Sequence, residues 1–239
     1  MLIKKIVSGF CAVIVSATVA SAVFSSANED ERVSVPAGLK FEEYDEAEYL
    51  DTLSEEEQDK RNRVLQEMER MESCDISVAS SYKISVPGTF TMYQQIYNDY
   101  CLPACVKSII HYINGSSEGQ EDIARDGCKD YLYRARIYLN EHQSQCNYLE
   151  QTNPAKHFIT SAVYTTINEE KAPCILGINT TLTNNWHYQT EGHAVVVNAI
   201  QSDKSKMQIA DPLGGYSNWA YYYEKDADTI AAVCGDMLY

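Results

Sequence analysis

The sequence predicts an α+β fold with helices first and an antiparallel sheet after. Helix-spaced apolar positions dominate residues 101–168, and β-branched or alternating runs dominate from residue 174 onward. A third observation fixes where chemistry belongs. Gln95, Cys101, His193 and Asp211 follow one another in settings that suit a cysteine nucleophile, with the thiol in the helical half and the base in the strand-rich half.

The chain of 239 residues opens with Lys4-Lys5, an apolar run over residues 6–19 and small residues through Ser26-Ala27. That is the layout of a secretory signal peptide over residues 1–27, with Ala20-Ser21-Ala22 and Ser25-Ser26-Ala27 both offering cleavage sites. Cys11 lies inside the apolar run and leaves with it. The expectation is a secreted or extracytoplasmic protein with no stable membrane anchor after cleavage.

Residues 28–73 carry much of the net charge of −15 and few large apolar side chains, so they build no core of their own. Ser54 followed by Glu57 is a capping box. Residues 55–71 then read as an exposed helix with a thin stripe of Val64, Leu65, Met68 and Met71. Two readings stand for this region, a solvated linker and an intramolecular pro-segment over a cleft. No basic cluster accompanies the acidic excess, which argues against nucleic acid as a partner.

Residues 74–239 form one domain-sized stretch. Its first helix begins at Cys101 and buries Val106, Ile109, Ile110 and Ile113. A thiol at a helix start meets unpaired backbone N–H groups and the positive end of the dipole, both favourable to the thiolate that attacks carbonyls. Further helices are expected over residues 119–125, 129–140 and 156–168. Strands are expected over 174–180, 193–201, 206–210, 216–223 and 230–234. His193 opens the second strand after Gly192, and a hairpin to the third brings Asp211 beside it, where a carboxylate can orient the imidazole. Gln95 can offer a side-chain N–H that, with the Cys101 backbone N–H, holds an oxyanion.

Alternatives remain at each position: Cys105 for the nucleophile, Gln94 for Gln95, Asp203 for Asp211. Trp186 and the polar loop before it are candidates for a cleft wall. Seven cysteines stay after leader removal, and if Cys101 is the free thiol, the other six can form up to three disulfides or simply pack as hydrophobes. No C-x-x-C or H-x-x-x-H pair suggests a metal site, no glycine-rich phosphate loop appears, and no cofactor is expected.

In its motif order the chain resembles the papain-like cysteine peptidases, in particular the bacterial branch typified by bacteriocin-leader (double-glycine) processing peptidases. The resemblance spans about residues 93–216. It rests on Gln95 with Cys101-Leu102-Pro103-Ala104 and the helix end at Gly115, on the Ala172-Pro173 segment ahead of the catalytic strand, and on Gly192-His193 with Asp211-Pro212. It implies Gln95 as the oxyanion-hole residue, Cys101 as nucleophile, His193 as general base and acid, Asp211 as the orienting residue, and a peptide or protein as substrate. The family usually places Gly or Trp where this chain has Leu102. A transglutaminase- or amidase-type acyl transferase would share the triad order, and a non-catalytic binding protein could keep the scaffold.

Overall fold

The computed structural model describes residues 32–41, 46–73 and 80–239. The expected leader over residues 1–27, with Cys11, and also Cys74 lie outside them.

Chain order in the acidic region runs from the two-residue strand β1 (Val33–Ser34) through α1 (Glu46–Asp51) to α2 (Glu55–Ser73). The capping box closes at the start of α2. Glu57 Oε2 accepts from the Ser54 backbone N–H at 2.8 Å, and Ser54 Oγ accepts from the Glu57 N–H at 3.3 Å. The helix is less exposed than its charge suggests. Val64 is fully buried, Met68 packs on the core, and Lys60 is 2 % exposed. The acidic segment therefore shares the core of residues 80–239.

Next come β2 (Lys83–Ser85), α3 (Cys101–Asn114), α4 (Gln120–Arg125) and α5 (Leu132–His142). Helix α3 ends where Gly115, at φ 75°, sends its N–H to the His111 carbonyl at 2.8 Å. This left-handed cap is a conformation glycine takes without steric cost. Pro103 is tolerated because first-turn N–H groups have no acceptor within the helix. After β3 (Glu150–Thr152), α6 (Lys156–Thr165) runs into a wider turn over Thr166–Glu170, which Lys171 at φ 57° terminates.

The strands β4 (Cys174–Ile178), β6 (His193–Gln201), β7 (Lys206–Ala210), β8 (Tyr222–Asp226) and β9 (Cys234–Leu238) form one antiparallel sheet in the order β3-β9-β4-β6-β7-β8, with β2 also paired to β6. Eight of the nine β6 residues are buried, as expected of a β-branched run flanked on both sides. Helix α3 packs on β6, so the helical half and the sheet meet where Cys101 and His193 lie. The α+β expectation holds.

Two expected strands move. Residues 216–223 begin with a 3₁₀ turn at Tyr216–Asn218, because Gly215 at φ 82° and Asn218 at φ 66° break the extended backbone. Residues 230–234 begin as the end of a helix, since α7 (Ala227–Ala231) follows Asp226, and after a turn the strand starts only at Cys234. The short β5 (Tyr188–Gln189) pairs in parallel with β1.

The six described cysteines are all unpaired, so no disulfide framework joins them. Five are buried among apolar side chains. Among the described residues no helix is long and apolar enough to cross a membrane, and no group of His, Cys, Asp and Glu is arranged for a metal ion.

Candidate active site

Sheet register builds the base. Val196 pairs with Ala210, which sets Asp211 opposite Val195, and side chains two residues apart share a face, so His193 reaches the carboxylate. His193 Nε2 lies 2.9 Å from Asp211 Oδ1, and both side chains are buried. That contact occupies Nε2 and leaves the other ring nitrogen for Cys101, which lies near enough to help raise the proton affinity of His193. Cys101 is the first residue of α3 and fully buried. The structure thus brings Cys101, His193 and Asp211 together.

Asp211 is held on every side. Oδ2 accepts from the Tyr188 hydroxyl at 2.7 Å and the Tyr223 hydroxyl at 2.6 Å, while Oδ1 also accepts from the Leu213 N–H at 2.9 Å. Burial alone would raise this carboxyl, but the positive His193, its hydrogen bond, Tyr223 and Leu213 outweigh burial and hold it below the ordinary carboxylate value. Burial alone would lower His193, but the charge and hydrogen bond of Asp211, with Cys101, outweigh it and push the imidazole up to about 10. The pair favours an imidazolium.

Gln95 sits on a loop pinned at both ends. The Tyr93 N–H donates to Ser108 Oγ on α3 at 3.0 Å, the Ile96 N–H to Gln120 Oε1 at 3.1 Å, and the Gln95 N–H to the Pro212 carbonyl at 3.0 Å. Its side-chain amide donates to the carbonyls of Tyr97 at 3.0 Å and Asn98 at 2.9 Å, and buried Oε1 has no partner among the described residues. Both amide hydrogens are therefore spent inside the loop.

The alternatives separate. Cys105 donates its thiol to the Ala194 carbonyl at 3.3 Å, and burial pushes it well above the usual thiol value. Asp203 serves a turn, accepting from the Ser205 N–H at 3.0 Å. Gln94 Oε1 accepts from the Tyr221 hydroxyl at 3.3 Å. Leu102 is fully buried in the core. Trp186, expected in a wall, is 1 % exposed and lies beneath the surface, edge-on to Tyr188 and Tyr223.

Sequence reasoning did not find the strap that covers this centre. β1 runs beside β5, the Val35 N–H donates to the Gln189 carbonyl at 2.8 Å, and the Gly38 N–H donates to the Gly192 carbonyl at 2.9 Å. A Cβ on Gly192 would fall 1.9 Å from the Leu39 carbonyl oxygen, so only glycine lets the strap pass there. Arg32 anchors one end, donating to the carbonyls of Thr180 at 3.1 Å and Thr183 at 2.5 Å and to Asn184 Oδ1 at 3.1 Å. Lys40 pairs with Asp130 at 3.1 Å toward the other end.

The family match decides the class: residues 81–225, more than half of the chain, match the papain-like cysteine protease AvrRpt2. The chain belongs to the AvrRpt2 family of papain-like cysteine proteases. It is a cysteine-type peptidase, and its substrate is a peptide or protein. The match names AvrRpt2 rather than the bacteriocin-leader branch that the motif order resembles. Among solved structures, the fold is similar to that of xylellain, a cysteine protease from Xylella fastidiosa. The TM-score is 0.52 and the identity 11 %, over 87 % of this chain and 96 % of that one. No curated protein matches the chain.

Proposed function

We propose that this family member is an exported peptidase that hydrolyses peptide bonds through Cys101, His193 and Asp211, and that residues 32–41 keep it silent until displaced. The supporting observation is the buried His193–Asp211 pair, bonded at 2.9 Å, with the buried Cys101 beside it. His193 carries the proton of the Cys101 thiol as an imidazolium steadied by Asp211, the thiolate adds to the carbonyl carbon, and the imidazolium gives that proton to the leaving amine. Water, deprotonated by His193, then releases the acyl group.

The oxyanion forms beside the first turn of α3, whose N–H groups have no acceptor within the helix. Gln95 joins them by turning one amide hydrogen away from Tyr97 or Asn98. Export is supported by the leader-like Lys4-Lys5 and apolar run, and amino-terminal sequencing of the extracellular protein tests it.

The Gly38–Gly192 bond and the complete burial of Cys101 support the silencing role of the strap. Only the strap needs to leave the site, because α2 shares the core. Displacing it and following peptide hydrolysis with and without Cys101→Ala tests this reading. Equal turnover by both chains would overturn it.

A further inference from the structure

Away from the cleft, Lys60 on α2 points into the catalytic body and meets a cysteine that the peptidase chemistry does not use. Its Nζ lies 2.7 Å from Glu170 Oε2, 2.8 Å from the Asn147 carbonyl and 3.2 Å from Cys146 Sγ. Lys60 is 2 % and Cys146 4 % exposed. We propose that Lys60 and Cys146 form an oxidative cross-link, a single oxygen atom bonded to Nζ and Sγ, which ties the acidic helix covalently to the body.

The geometry supplies what such a bond requires. Nitrogen and sulfur already touch, and one oxygen bonded to both spans slightly less than their separation, so a small approach closes the bridge. The ammonium must lose a proton before its nitrogen can form a new bond, and Glu170 stands at hydrogen-bond distance to receive it. Arg63, 3.0 Å from Glu170 Oε1, keeps that carboxylate paired once the lysine charge is gone. Burial denies Cys146 to disulfide partners, which need access to it, but leaves room for a small oxidant. Dioxygen, small and apolar, is the oxidant.

The step balances. One ammonium, one thiol and one dioxygen give one N–O–S bridge, one water and one released proton. Nitrogen and sulfur each yield two electrons, and the two oxygen atoms take the four, one ending in the bridge and one in water. The bridge replaces a buried ion pair by a covalent tie between α2 and the loop that carries Cys146.

High-resolution intact mass of the full chain, handled in air and compared with a thiol-reduced sample, tests this. The expected result is a gain of one oxygen and a loss of two hydrogens, about 14 Da. The gain maps to a peptide pair joining Lys60 to Cys146 and reverses on reduction. Cys146→Ser, which keeps a hydroxyl for Lys60 to donate to, should abolish the gain without unfolding the chain, and Lys60→Arg should abolish it too. An unchanged mass, whole oxygen atoms added to Cys146 alone, or the same gain in Cys146→Ser would each overturn the proposal.

Discussion

Gly38 lies against Cys101 so closely that a Cβ added to it would stand 2.9 Å from the Cys101 sulfur. The strap therefore meets the thiol with the one residue type that fits. Gly38→Ala forces one of the two to move, and overpacking of this kind costs about 1–3 kcal/mol. Since 1.4 kcal/mol is a factor of about ten, iodoacetamide should label Cys101 roughly tenfold faster in the variant than in the native chain. Arg32→Ala should act in the same direction by freeing the other end. Unchanged labelling in both would mean that the strap does not limit access.

Asp211 and His193 make stability depend on pH in a defined sense. The folded imidazole holds its proton up to about 10, above the ordinary value near 6.5. Its contribution is therefore fully present below about 6.5 and lost as pH rises toward 10. Asp211, held low, contributes above its unfolded value and loses that contribution as pH falls through its lowered folded value. Urea unfolding of the native chain and Asp211→Asn should differ most near pH 6 and draw together only as pH passes about 10. Turnover by Asp211→Asn should fall about 10³-fold, because a neutral amide no longer supports the imidazolium.

Asp236 works in the opposite sense. Burial pushes its carboxyl up to about 7, so the folded chain binds a proton that the unfolded chain has released. Stability falls as pH rises from the unfolded value near 4 toward 7. Asp236→Asn should remove that slope and raise stability at pH 8 by about 2 kcal/mol, read by thermal or urea unfolding.

Gln95→Ala tests the oxyanion assignment. If the amide turns into the site during the reaction, kcat should drop about 10²-fold with KM little changed. If the loop contacts are its whole role, the loss should appear in thermal stability instead.

The catalytic strand and its neighbour were legible because each is a single β-branched or alternating run, and β6 and β7 begin and end where the pattern says. Asp211 followed from the hairpin between them. The phenols that hold it did not, since Tyr188 and Tyr223 reach the carboxylate only through sheet register and the short β5. The strap left no periodic signal either, because its grip is backbone hydrogen bonds to Gln189 and Gly192. Residues 230–234 misled by composition: Ile230 and Val233 favour a strand, but the helix that begins at Ala227 carries the first of them.

Everything proposed for the site turns on Cys101 as the nucleophile. Its most direct test is hydrolysis of a quenched peptide library by the full Gly38→Ala chain with and without Cys101→Ala, beside unfolding curves of both. Turnover is expected in the first, none in the second, with coincident unfolding. Equal turnover in both, or none in either although iodoacetamide shows Cys101 open, would contradict it.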